Sequence, residues 1–205
     1  DEADVKSGKV KVYAPVGFME HVMSENVMAG NAMSRRAQYQ FGSLLPRGEN
    51  GQVDAGLGKS SPTGGTVTLI PPTDLIAKEL ETRTIAGIQF EFQLTPGTEA
   101  PAEMNMYLPE LKALCMAENA TQMMHNVLTP RGAQVRDAKA WSQYLDDSLA
   151  RYGDKADVLF AQHNWPTWGG ERIRTFLADQ RDMYAFLNDR TLHLLNQGLT
   201  PQEIA

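Results

Sequence analysis

An α/β fold with a mixed sheet is what this sequence predicts, and three observations predict it. Residues 88–94 alternate cleanly, with Ile88, Phe90, Phe92 and Leu94 on one side and Gln89, Glu91 and Gln93 on the other, the period of a half-buried strand. Residues 133–152 carry Val135, Trp141, Tyr144, Leu145 and Leu149 at helical spacing. The order of segments is strands, helix, short apolar run at 157–161, then a long helical pattern at 170–196, which is how a sheet acquires packed helices.

Each element has a local reason. Val10 and Val12 alternate with lysines as a half-exposed strand that Pro15 ends. Residues 18–45 read mostly as helix, with Met19, Val22, Met23, Val27 and Met28 at helical spacing and Gly30 as a break; the methionines suit core filling. Residues 46–65 are rich in Gly, Pro, Ser and Asn and form a long loop. Strands are expected at 66–70, 81–85, 88–94, 103–107 and 112–116, a helical turn at 121–127, and a buried strand at 157–161. Gly153 and Gly198 sit where helix C-caps belong. Thr200 and Pro201 then begin a further helix.

The chain has 205 residues, 42% hydrophobic and 21% charged, and a net charge of −6. Such a chain buries a substantial core, and its acidity argues against nucleic acid as a partner. The single cysteine, Cys115, permits no internal disulfide, and its apolar setting makes it a small buried hydrophobe. No apolar run approaches a membrane span. Gly58-Lys59-Ser60 lacks the upstream glycine of a phosphate-binding loop, because position 53 is Val. No serine sits in a Gly-x-Ser-x-Gly elbow. The histidines His21, His125, His163 and His193 have no zinc-site spacing among them.

His163 is more informative. It follows the 157–161 strand in Gln162-His163-Asn164-Trp165-Pro166-Thr167-Trp168, where α/β folds place ligands. Glu99 and Glu118 also follow strands. Each alone is an ordinary loop residue; two strand-end carboxylates and a strand-end histidine can converge on one metal.

Longer blocks then resemble a known family. Glu20-His21, Ser24-Glu25-Asn26-Val27-Met28-Ala29-Gly30-Asn31-Ala32-Met33-Ser34-Arg35-Arg36-Ala37, Asn105-Met106-Tyr107-Leu108-Pro109-Glu110, Leu128-Thr129-Pro130-Arg131-Gly132-Ala133-Gln134-Val135-Arg136-Asp137 and the His163 block resemble the zinc-dependent, dodecyl sulfate-degrading alkyl sulfatases of the metallo-β-lactamase superfamily. The resemblance implies the C-terminal part of an αββα sandwich over residues 1–168, and the start of an α-helical dimerisation domain over 169–205. It implies two zinc ions, with Glu99, Glu118 and His163 as ligands, and a zinc-bound water as nucleophile. It places sulfate binding on Asn126, Val127, Leu128, Thr129, Pro130 and Arg131, with a further contact at Arg136. It implies an alkyl sulfate substrate, a homodimer and a periplasmic or secreted location. Met19, Met23, Phe41, Trp165 and Trp168 are candidates to hold the alkyl tail.

The family's His-x-His-x-Asp-His segment is not in this sequence. The expectation is therefore a piece of a longer enzyme that is inactive alone. Two other readings stand beside this one: another hydrolase of the superfamily, and a non-catalytic oligomerisation module using the apolar helix 170–196. The paired cations Arg131 and Arg136 favour a sulfate ester over a neutral substrate.

Overall fold

Two units share the secondary structure: Asp1–Lys78 with Leu128–Val135, and Glu79–Val127 with Arg136–Ala205. The computed structural model describes residues 1–55 and 68–205.

The first unit opens on a helix that the sequence reading did not anticipate, α1 (Glu2–Lys6). Asp1 caps it by accepting from the Asp4 amide at 2.9 Å. This explains why the strand expected around Val10 starts later. The amides of Lys9 and Val10 both donate to the Asp4 carbonyl, at 2.9 and 3.1 Å, so they are not available to a sheet. The strand β1 is Tyr13–Pro15, paired in parallel with β2 (Asp74–Ile76).

The helical stretch is α2 (Phe18–Val22), a π-helical turn Met23–Met28, and α3 (Gly30–Gln40). The break falls at Ala29, one residue before the expected Gly30, which instead opens α3. Core filling is not what these methionines do: Met19 is half-buried and Met23 and Met28 are exposed, and the buried methionine of the stretch is Met33. Of the loop at 46–65, residues 46–55 form turns with an Arg47–Gln52 bridge, and Gly58-Lys59-Ser60 lies outside the described residues. The strand expected at 66–70 is not seen at 68–70, which is irregular; 66 and 67 lie outside the described residues.

The second unit is built on a six-stranded sheet in the order β3 (Leu80–Ile85), β4 (Ile88–Leu94), β5 (Met104–Leu108), β6 (Ala113–Cys115), β7 (Val158–Phe160), β8 (Thr167–Trp168). All neighbours are antiparallel except β6 and β7, which α4 (Ala138–Tyr152) connects as a parallel pair. Ala86 and Gly87, both at positive φ, close the β3–β4 hairpin.

Helix α4 begins at Ala138 rather than at 133. The Arg136 amide is bound to the Val127 carbonyl and the Asp137 amide to the Gly97 carbonyl, each at 2.9 Å. Asp137 then caps the helix through the Ala140 amide at 3.0 Å. Val135 is left outside the helix and exposed, not part of its buried stripe. Residues 121–127 are irregular rather than helical, because their carbonyls serve other elements: Tyr184 Oη donates to His125 O and Arg136 to Asn126 O. In β7 only Leu159 is fully buried, while Phe160 is exposed.

The long helix α5 (Gly170–Asn196) has the predicted bounds, and α6 (Pro201–Ile204) follows with Thr200 in a capping box. The first half of α5 belongs to the core of this unit. Ile173, Leu177 and Tyr184 are fully buried with Trp141, Leu145, Leu114, Met116 and Leu159. Trp141 stacks on Tyr184 at 4.3 Å and donates its indole N–H to Asn119 O at 2.9 Å.

Candidate metal and anion site

Strand direction brings the candidate ligands together. β4 and β6 are each antiparallel to β5, and β6 is parallel to β7. The last residues of β4, β6 and β7 therefore lie at one end of the sheet, and Glu99, Glu118 and His163 follow them in sequence. The Met116 amide donates to Phe160 O at 2.8 Å, and Gln162 N to Ala117 O at 3.0 Å, so the β6 and β7 ends are tied just before Glu118 and His163.

The Glu118 turn is strained. Ala117 has φ 48, a left-handed conformation that costs a residue with a Cβ about 1–2 kcal/mol. Buried polar groups hold it there. Asn119 donates from its side chain to Thr95 Oγ1 at 2.9 Å and to Asn105 Oδ1 at 2.8 Å. Asn105 in turn donates to Gln93 Oε1 and Ser148 Oγ, at 3.3 and 3.2 Å. Such strain persists only where surrounding structure over-determines it, and it clusters at functional sites.

His163 Nδ1 lies 2.7 Å from Glu118 Oε2. The other Glu118 oxygen, Oε1, is buried with no hydrogen-bond partner. Glu99 is engaged differently: its carboxylate pairs with Arg136 Nη2, and its carbonyl accepts from Arg136 Nε at 2.5 Å. His125 stands between the two glutamates, with Nε2 at 3.7 Å from Glu118 Oε2 and 3.9 Å from Glu99 Oε1. Thus Glu118 and His163 touch, whereas Glu99 is linked to them through His125 and turned toward Arg136. Among the described residues, no three His, Cys, Asp or Glu side chains are placed to hold a metal ion together. The donor types nonetheless suit a borderline cation, and the orphaned Glu118 oxygen is an acceptor without a donor.

Two residues of this cluster were not among the ligands expected from the sequence. His125 lies in irregular chain with no spacing signal; its one hint is that it precedes Asn126. Glu103, just before β5, is partly buried, and burial pushes its carboxyl up to about 7, with the like charges of Glu99 and Glu118 adding to the rise. The amide of Met104, bonded to its Oε1 at 3.0 Å, and the charge of Arg136 oppose it. Cys115 is buried as expected, and burial raises its thiol pKa.

The anion-site residues fall into two groups. In the second unit, Arg136 is buried and its guanidinium serves Glu99, Asn126 O at 2.8 Å, Asn126 Oδ1 and His125 Nδ1 at 3.3 Å. Val127 packs on the core and takes the Arg136 amide. In the first unit, Thr129 is buried and closes a turn, accepting from Gly132 N at its carbonyl and from Ala133 N at Oγ1, at 3.1 and 3.0 Å. Leu128 and Pro130 are exposed. Arg131 is partly buried and pairs with Glu25 Oε1 at 2.8 Å. Trp165 and Trp168, beside His163, are 70% and 61% exposed, open aromatic surface rather than core.

No protein-family model matches the chain. Full-length similarity to characterised proteins is nonetheless high. The chain is 62% identical over all 205 residues to an (R)-specific secondary-alkylsulfatase of Pseudomonas sp, and 55% identical to a linear primary-alkylsulfatase of Pseudomonas sp. It is 55% identical over 204 residues to the alkyl/aryl-sulfatase BDS1 of Saccharomyces cerevisiae. It covers 31%, 30% and 31% of these relatives, so it spans about a third of their length. The solved structure of the stereoselective inverting sec-alkylsulfatase Pisa1 from Pseudomonas sp. superposes with TM-score 0.95 at 62% identity, over 98% of this chain and 32% of that one. A metallo-β-lactamase family protein from Thermus thermophilus matches with TM-score 0.51 at 18% identity over 92% of this chain and 56% of that one, a likeness of fold.

Proposed function

From its similarity along its whole length to alkylsulfatases, we propose that the chain is part of an alkylsulfatase of the metallo-β-lactamase superfamily, and that this protein hydrolyses alkyl sulfate esters to alcohol and sulfate with the help of two zinc ions. The observation that carries the site is the strand-end cluster: a Glu118–His163 contact of 2.7 Å beside a buried, partnerless Glu118 oxygen. Glu118, His163 and Glu99 would hold metal, which when bound acidifies a water and polarises the ester.

The chain's own residues do the rest. The His163–Glu118 bond and the Gln162–Ala117 tie orient two donors before any ligand arrives. Arg136 neutralises Glu99, donating from Nη2 to its carboxylate and from Nε to its backbone carbonyl. Arg131 meets the sulfate group: its guanidinium stays charged and offers planar paired donors to sulfate oxygens. Trp165 and Trp168 present apolar surface to the alkyl tail. Each buried methylene contributes about 0.8 kcal/mol, so a tail shorter by two carbons should bind roughly tenfold more weakly. Phe186, Leu192 and Leu195, exposed on the second half of α5, are suited to a homodimer contact. Among the described residues no helix is long and apolar enough to cross a membrane.

The test is a substrate panel on the holoenzyme. Alkyl sulfates, alkyl phosphates and carboxylate esters of matched chain length are compared for product release, with zinc content measured on the same sample. Sulfate release with about two zinc ions supports the proposal; ester or phosphate turnover without sulfate release refutes it.

A further inference from the structure

The Arg131 guanidinium does not stand alone. Glu25 Oε1 accepts from Nη1 at 2.8 Å, and the side-chain oxygen of Gln40 accepts from the Arg131 backbone amide at 3.1 Å. Both partners belong to the same unit as Arg131, and both come from one helical stretch far away in sequence. One contact sets the guanidinium and the other sets the backbone it hangs from. Glu25 lies in the π-helical turn Met23–Met28, an irregularity that is rare and recurs at functional sites. The Thr129–Gly132 turn fixes the chain on the other side. Gly132 has φ 104, and a Cβ there would come within 2.7 Å of Arg36 Nη1, so the segment also lies against the Arg36 side chain.

We propose that Glu25 is a positioning residue for sulfate recognition, acting through Arg131. The inference rests on the reading that Arg131 binds the sulfate group. An arginine recognises a tetrahedral anion only if its fork faces it; a free side chain must be ordered on binding, and that ordering weakens affinity. Glu25 and Arg131 are partly buried, at 21% and 27% side-chain exposure, so the pair is held more firmly than a surface pair. The geometry also separates two roles. As a nearby negative charge alone, Glu25 would repel sulfate, and its removal would tighten binding. As an orienting group, its removal weakens binding. The two roles predict opposite signs.

The experiment uses the holoenzyme with inorganic sulfate as competitive inhibitor and dodecyl sulfate as substrate. Glu25→Ala removes charge and acceptor; Glu25→Gln keeps an acceptor oxygen. The expected result is that Glu25→Ala raises the sulfate inhibition constant and KM by about tenfold, the lower end of the effect of residues that orient a functional group from behind. Glu25→Gln should recover to within about threefold of the parent, because its amide oxygen still accepts from Nη1. Adding Glu25→Ala to Arg131→Ala should cost nothing more, since the group being positioned is already gone. Unchanged or tighter sulfate binding in Glu25→Ala, or additive losses in the double variant, overturns the inference. If Arg131→Ala alone leaves KM and sulfate inhibition unchanged, the underlying reading of Arg131 fails instead. Thermal unfolding of each variant identifies a protein that has merely lost its fold, and Glu25→Met, which keeps the length of the side chain without an acceptor oxygen, is then the deciding variant: parent-like sulfate inhibition in it overturns the inference.

Discussion

Replacing Glu103 with glutamine should abolish a pH-dependent loss of stability. The carboxyl of Glu103 is raised from 4.5 to about 7 in the folded protein, chiefly by burial. Below about pH 4.5 it is protonated in folded and unfolded states alike, so it contributes no difference. As pH rises through 4.5 the unfolded chain ionises while the folded one holds its proton, and stability falls until about pH 7, where the folded carboxyl ionises too. At about 1.36 kcal/mol per pH unit the ceiling on this loss is about 3 kcal/mol. Partial exposure of Glu103 reduces the expected figure to about 2 kcal/mol. Glutamine stays neutral, and its amide oxygen still accepts from the Met104 amide. The assay is urea unfolding of parent and Glu103→Gln between about pH 5 and 8, after metal chelation. The two should have similar stability at about pH 5 and diverge as pH rises. The variant should be more stable at about pH 8 by about 2 kcal/mol, or about 4–8 °C in Tm for a chain of this size. Parallel stability curves across that range would refute the reasoning.

The other predictions concern the site and the core. His163→Ala should lose bound zinc and sulfatase activity together, checked by metal analysis and turnover on one preparation; full metal retention would remove His163 from the ligand set. Arg131→Lys keeps the charge and loses the fork, so kcat/KM for dodecyl sulfate should drop by about tenfold, and unchanged kinetics would exclude Arg131. Trp141→Ala should destabilise by about 3–5 kcal/mol, because the ring is fully buried and stacked on Tyr184. Trp141→Phe should cost less but leave Asn119 O without its indole donor, and denaturant midpoints of the two variants check the order.

Local patterns in the chain were enough for much of the architecture. The strand at 88–94 and the long helix α5 match their predicted bounds, although in β4 Ile88 is exposed and Gln93 is buried against the predicted alternation. Periodicity along the chain marks where a strand or helix has a face to bury, even though its partners are supplied by other segments. Strand-end positions likewise singled out Glu99, Glu118 and His163, since residues after strands are where α/β sheets expose side chains.

Other features came from tertiary contacts, for which a linear pattern carries no signal. The start of α4 moved because the amides of Arg136 and Asp137 found carbonyls at Val127 and Gly97. Val10 left the strand because the Asp4 carbonyl took its amide. His125 joined the cluster only because the chain folds it between two carboxylates. Arg136, read as an anion contact like Arg131, is also the buried partner of Glu99. The sequence by itself determined which residues could form strands, helices and the turns after strands. Only the tertiary structure decided which backbone donor met which acceptor and which charge was buried against which, because hydrogen bonds and ion pairs between distant segments depend on three-dimensional proximity that no spacing along the chain encodes.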